Sequence, residues 1–164
     1  MNKIIGIAVF KDKDIKGVVE LQENNNKVVI NINLKSNKYK NSIHGFHIHE
    51  AGDLTDNCMG ACGHFNPYNK NHGGPESSER HVGDLGNIKF DNKGVCNMIL
   101  EDKLVKLRGT KANVIGRSIV IHSKEDDLGL GANEDSLKTG NAGKRLTCAV
   151  IGYSKKMCFT PLNI

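Results

Sequence analysis

The chain is expected to be all-β, a sandwich or barrel of about eight short strands, on three observations. Its apolar residues come as brief Val/Ile/Leu clusters rather than long helical stripes, with 18 glycines, no tryptophan and 5% aromatic residues in 164, a composition of many strands and loops. The run Val28-Val29-Ile30-Asn31-Ile32-Asn33-Leu34 alternates. It puts Ile30, Ile32 and Leu34 on one face and the asparagines on the other, as a half-buried strand does. Similar runs recur at short intervals, several separated by turn residues such as Asp91-Asn92-Lys93-Gly94.

Taken in order, residues 4–10 form the first strand. Lys11-Asp12-Lys13-Asp14 follows at once with no small-residue cleavage site, so this run is not read as an export signal. Residues 17–21, 28–34, 43–49, 85–90, 95–100, 117–121 and 146–153 supply the others. Two intervals, 50–84 and 123–144, are rich in Gly, Asn, Asp and Ser, and loops of that length are expected to be held by function. One domain is expected over residues 1–154, with 155–164 as a C-terminal extension.

No apolar segment approaches the roughly 20 residues of a membrane helix, and no Asn-x-Ser/Thr sequon occurs. A soluble, cytoplasmic protein is therefore expected, in the host cytoplasm if the source is a virus. The formal charge is +5, but the lysines are interleaved with Asp and Glu, without a basic stripe or stacking aromatics, so nucleic acid is not an expected partner. Five cysteines leave at least one free thiol in a monomer.

The chemistry is carried by histidine. In Gly45-Phe46-His47-Ile48-His49 the two histidines are two apart on a strand and point to the same side, a ready-made half-site for one ion. His122 closes the apolar run 117–122 and His64 arrives from a loop. Four imidazoles suit copper in a tetragonal site. His64, His72, His81 and Asp84 offer nitrogen and carboxylate oxygen for a closed tetrahedral zinc site. His64 then serves twice, which imidazole allows because it has two ring nitrogens.

The blocks His44-Gly45-Phe46-His47-Ile48-His49-Glu50, His64-Phe65-Asn66-Pro67, His72-Gly73-Gly74-Pro75, Arg80-His81-Val82-Gly83-Asp84-Leu85-Gly86-Asn87 and Lys138-Thr139-Gly140-Asn141-Ala142-Gly143-Lys144-Arg145-Leu146 strongly resemble the copper,zinc superoxide dismutases over almost the whole chain. The resemblance implies an eight-stranded antiparallel Greek-key barrel with a metal-binding, disulfide-bearing loop and an electrostatic loop. It implies one copper and one zinc per subunit, with His47, His49, His64 and His122 on copper and His64, His72, His81 and Asp84 on zinc. Asp126 would bridge His47 to His72, and Cys58 would be disulfide-bonded to Cys148.

The implied reaction turns two superoxide anions into dioxygen and hydrogen peroxide. His64 is expected to be both ligand and proton carrier, and Arg145 to stand beside the open copper face. Lys138 would draw the anion in, with Glu134 and Asp135 shaping the field. A homodimer is implied, through the loop beginning at Glu50, the Ile115-Gly116 segment and the last strand. Proline is absent between Gly143 and Cys148, which by the same resemblance implies independence from a copper chaperone.

The alternative is a non-enzymatic copper/zinc-binding or copper-chaperone-like module. It fits less well, because every copper ligand and Arg145 are present and no Met-x-Cys-x-x-Cys module occurs. Four side readings complete the expectations. His44 has the opposite strand parity and is read as structural, Arg80 as an ion-pair partner of Asp102, and Phe46 and Ile48 as core. Cys62 is read as a bystander thiol, Cys96 as packed on a strand, and Cys158 as exposed in the tail.

Overall fold

The computed structural model describes residues 4–157. Eight strands alternate inward and outward residues: β1 (Ile5–Lys11), β2 (Ile15–Asn24), β3 (Lys27–Ser36), β4 (Ser42–His49), β5 (Asp84–Phe90), β6 (Val95–Asp102), β7 (Ser118–His122) and β8 (Arg145–Tyr153). Every pairing is antiparallel, and the order across the sheet is β5-β4-β7-β8-β1-β2-β3-β6. The two end strands, β5 and β6, are joined by the tight turn at Asp91–Gly94, where the Gly94 amide donates to the Asp91 carbonyl at 3.1 Å. The sheet thus curls into a nearly closed barrel. Across its seam the order β3-β6-β5-β4 is a Greek key.

Each expected run lies in one of these strands, with ends differing by a few residues. The barrel is filled by the inward residues, among them Phe46, Ile48, Phe90, Ile30, Ile32, Ile119 and Ile121, all fully buried. Burying large aliphatic side chains contributes about 1.5–3 kcal/mol each, so the barrel is a rigid platform. Phe46 and Ile48 face its core, which turns His47 and His49 outward.

The two long intervals are loops. The first carries a single short helical turn (Met59–Ala61), the second a one-turn helix α1 (Ser136–Thr139) that was too short to leave a periodic signature. Both are pinned to the outside of β4. The Phe65 amide donates to the Ile48 carbonyl at 2.8 Å, and the Ile48 amide to the Gly83 carbonyl at 2.9 Å. At Gly83 a Cβ would stand 2.0 Å from the Ile48 carbonyl oxygen, so only glycine lets the loop lie this close. The Gly45 amide donates to the Lys124 carbonyl at 2.8 Å, and the His72 amide to the Leu137 carbonyl at 2.8 Å, tying the loops to the barrel and to each other.

Arg80 and Asp102 form a buried ion pair at 2.6 Å, each side chain 3% exposed, and Arg80 also donates to the carbonyls of Pro75, His81 and Val82. This clamps the first loop to the end of β6. His44 is structural: one ring nitrogen meets the His122 carbonyl at 2.8 Å and the other the Ser42 hydroxyl at 2.9 Å. Cys96 is buried, which pushes its thiol up to about 11. After β8 the chain folds back, with the Ser154 amide donating to the Ile5 carbonyl at 2.9 Å and Lys156 paired with Glu20. Cys158 lies outside the described residues.

Candidate metal centre

His47 and His49 leave the outer face of β4, beside β7, where His47 is opposite Val120 and His49 opposite Ser118. His122 ends β7 and lies opposite Arg145, the first residue of β8. A register shift between Gly45 and His47 brings Asp84, the first residue of β5, opposite His47. His64 enters from the first loop through a bridge to His49.

The His64 ring is the hub. Its centroid lies 4.1 Å from that of His47, 5.0 Å from His49, 6.0 Å from His122, 5.2 Å from His72 and 5.5 Å from His81. One potential ligand atom from each of His47, His49, His64 and His122 falls within 4.8 Å of the others, and the same holds for His64, His72, His81 and Asp84.

The second group converges on one carboxylate oxygen. Nδ1 of His64, His72 and His81 lie 2.9, 3.0 and 3.0 Å from Asp84 Oδ1. Those separations are close to the edge of a tetrahedron with metal–ligand bonds of about 2.0 Å, roughly 3.3 Å. The other oxygen, Oδ2, is engaged by the backbone amides of His81 at 2.8 Å and Gly73 at 3.1 Å, which leaves Oδ1 turned to the centre.

In the first group the protein fixes the tautomers. His49 Nδ1 donates to the Cys62 carbonyl at 2.8 Å and His122 Nδ1 to the Gly143 carbonyl at 3.1 Å. Their Nε2 atoms therefore carry lone pairs, and these face each other at 3.2 Å. Two lone pairs at that distance are relieved only by a cation or proton shared between them. His47 Nε2 donates to Asp126 Oδ2 at 2.7 Å and His72 Nε2 to Asp126 Oδ1 at 2.8 Å. The Nδ1 atoms of both rings are then buried without a hydrogen bond, an arrangement that a ligated ion satisfies. The residues fit two metal ions.

Ionisation agrees. Burial, reinforced by neighbouring His64, holds His47 neutral far below its ordinary range and lowers His49 to about 2. Burial likewise takes His122 to about 4, against the pull of the Gly143 carbonyl. These rings offer lone pairs rather than protons at neutral pH. For His72, burial is outweighed by Asp126 and Asp84, which raise it to about 9 and mark a place that favours positive charge. Asp84 and Asp126 both stay ionised well below the usual carboxylate range, because the hydrogen bonds from their histidines overcome burial.

A cavity of about 550 Å³ opens onto this cluster, lined by His49, His64, His122, Lys124, Lys138 and Arg145 among others. Asp135 also lines it, whereas Glu134 pairs with Lys138 at 3.0 Å on the exposed loop. Arg145 is held by the carbonyls of Cys58, Met59 and Cys62. Cys58 is disulfide-bonded to Cys148, with Cα atoms 6.0 Å apart.

The structure brings both expected residue sets together and places Asp126 between His47 and His72 as expected, but sequence reasoning missed other groups that aim these rings. The Cys62 thiol makes only a 3.5 Å contact to the Gly60 carbonyl, yet its carbonyl orients both His49 and Arg145. Asn87 grips the Asp126 backbone at 2.8 and 2.9 Å. Gly140 leaves room for Asp126, because a Cβ there would lie 1.8 Å from its Oδ1. Backbone carbonyls have no signature in sequence. Asn87 and Gly140, which both fall in the quoted blocks, were the visible clues.

Comparison with known proteins agrees with this geometry. Residues 15–151 match the family model described as copper/zinc superoxide dismutase. A Cu-Zn superoxide dismutase of Paramecium bursaria Chlorella virus 1 is 57% identical over 93% of this chain and 80% of its own length. One from Yarrowia lipolytica is 50% identical over 90% of this chain and 97% of its own. Among solved structures, the crystal structure of the clock protein EA4 superposes with a TM-score of 0.89 at 39% identity, covering 94% of this chain and 97% of that one. With its fold, its histidine cluster and these matches in agreement, the chain belongs to the copper/zinc superoxide dismutase family.

Proposed function

We propose that the chain disproportionates two superoxide anions into dioxygen and hydrogen peroxide, with copper held by His47, His49, His64 and His122 and zinc by His64, His72, His81 and Asp84. The observation that carries this reading is the hub position of His64, whose Nδ1 faces Asp84 while its ring adjoins His47 and His49. When bound, copper supplies one-electron exchange by alternating between Cu(II) and Cu(I), while zinc keeps its oxidation state.

The chain does the rest. His64 Nε2, on the side away from Asp84, can hold a proton and pass it to the incoming anion. Arg145, at the cavity wall, offers guanidinium hydrogens to that anion. Lys124 and Lys138 add positive charge around the mouth, and Asp135 and Glu134 limit where it extends. The decisive experiment compares superoxide consumption by protein loaded with copper and zinc and by stripped protein. Rapid consumption only when loaded is expected. Loaded protein without it would leave the chaperone-like or metal-buffering reading.

Replacing Arg145 with methionine is expected to lower kcat/KM by about tenfold or more and to flatten its fall with ionic strength, because steering by a charged mouth is screened by salt. Equal salt dependence in the two proteins would remove Arg145 from that role. Elemental analysis is expected to give one copper and one zinc per chain.

We also read residues 1–154 as the dismutase domain, 155–164 as an extension, and the molecule as a homodimer. The last strand ends at Tyr153, and Val9, Leu54, Val150 and Tyr153 leave apolar surface exposed. Sedimentation of the full chain is expected at twice its 17.9 kDa, and a chain ended at Ser154 at twice its own mass. A monomer, or a shortened chain that does not fold, would count against this reading. No helix among the described residues is long and apolar enough to cross a membrane, and the cytoplasm is the proposed location, to be checked by cell fractionation. Maturation is proposed to need no copper chaperone. Expression in a chaperone-deleted host is expected to give oxidised, copper-loaded enzyme rather than reduced apo-protein.

A further inference from the structure

We propose that the outer face of β1, β2 and β3 carries a second anion site, separate from the metal centre, in which Lys11, Lys16 and Lys35, with Lys13 beside them, bind a chain of linked phosphate groups.

The lysines look scattered in sequence, and no basic stripe was expected, but the strand register lines them up. Lys11 is directly opposite Lys16 in the β1–β2 pair, and Lys16 is directly opposite Lys35 in the β2–β3 pair. Directly opposed residues of antiparallel strands point to the same face, with Cβ atoms about 4.5–5.5 Å apart. All three are exposed. With strands about 4.8 Å apart, the row is about 10 Å long.

Like charges placed directly opposite weaken strand pairing, and the surrounding residues do little to offset it. On the same face, the next row is Val9, Val18 and Asn33, without a charge. The row beyond it holds Ile7, Glu20 and Asn31, and Glu20 is engaged by Lys156. Among the described residues, Lys11, Lys13, Lys16 and Lys35 have no ion-pair partner. In the adjoining β1–β2 turn, Asp12 accepts the Asp14 amide at 2.8 Å and Asp14 is paired with Lys38 at 3.3 Å. Five lysines thus stand beside two carboxylates, one of which is paired with Lys38.

At the end of the row is a cavity of about 250 Å³, lined by Lys13, Asp14, Lys16, Lys35 and Asn37. None of these residues lines the cavity over the metal centre. Lysine binds phosphate as a point charge and tolerates varied geometry. A lone phosphate would reach only part of the row, whereas a triphosphate presents several charges along it. Nucleic acid fits less well. The row has no aromatic residue for a base to stack on, and nearby Tyr39 is turned edge-on to His44, with ring centroids 5.1 Å apart.

The test is calorimetric titration of the copper- and zinc-loaded protein with sodium tripolyphosphate and, separately, with ATP, at two salt concentrations, with metal content measured before and after. Saturable binding that weakens with salt is expected, and Lys16→Gln/Lys35→Gln should weaken it by roughly tenfold or more. The remote pair Lys103→Gln/Lys111→Gln should not, although it removes the same net charge. Equal affinity for the two probes would mean that the phosphate chain alone is read; tighter ATP binding would identify a nucleoside polyphosphate.

Removal of the opposed charges is a second readout. The midpoint of thermal unfolding without ligand is expected to rise by about 1–3 °C in Lys16→Gln/Lys35→Gln, while a given concentration of tripolyphosphate should raise it more in the parent protein than in the variant. Titrations indistinguishable between parent and Lys16→Gln/Lys35→Gln would overturn the proposal. So would no binding at millimolar probe, or duplex DNA binding more tightly than tripolyphosphate through the same lysines.

Discussion

Replacing His64 with alanine is expected to lower superoxide turnover by at least about 10²–10⁴-fold, the usual contribution of a positioned proton donor, with a further loss as metal binding fails. Both four-residue potential ligand groups include this ring. Its removal leaves three imidazoles on one side and His72, His81 and Asp84 on the other. The barrel itself is expected to persist, because His64 stands on a loop and its side chain takes no part in the apolar core. Far-ultraviolet circular dichroism should therefore match the parent, while metal content and activity fall together. A His64→Ala protein that kept parent-like activity with both metals bound would end the dual-ligand reading.

Removing the disulfide is expected to have the largest effect on stability. Cys58 and Cys148 are 90 residues apart in sequence, and the chain-entropy account of a closed loop of that length gives roughly 4–5 kcal/mol, with strain and residual structure reducing it. In Cys148→Ser the denaturation midpoint of metal-free protein should fall accordingly. Activity should fall too, for a reason visible in the site: the Cys58 carbonyl holds the Arg145 guanidinium, so freeing the loop frees that arginine. A loss below about 1 kcal/mol, small beside that entropy, would mean that the bonds pinning the loop to β4 already confine it in the unbridged chain.

Strand positions were legible because inward and outward residues alternate so strictly, as in Ile30, Ile32 and Leu34 of β3. The candidate ligand groups were legible because metal chemistry demands particular side chains, and His47 and His49 sit two apart on a strand. What could not be read is whatever depends on backbone or register. The carbonyls of Cys62 and Gly143 fix two tautomers, yet any residue has a carbonyl. Cys62, read as a bystander for its thiol, contributes through its main chain. The lysine row exists only because β1, β2 and β3 pair in one particular register.

Asp126 has a consequence of its own, since a single carboxylate steadies one ring from each group. An ion held by either ring would draw on the same carboxylate that orients the other, so the two sites would be coupled through Asp126. Thermodynamic reciprocity would then make the effect of each ion on the other's affinity the same factor, whichever metal is offered first.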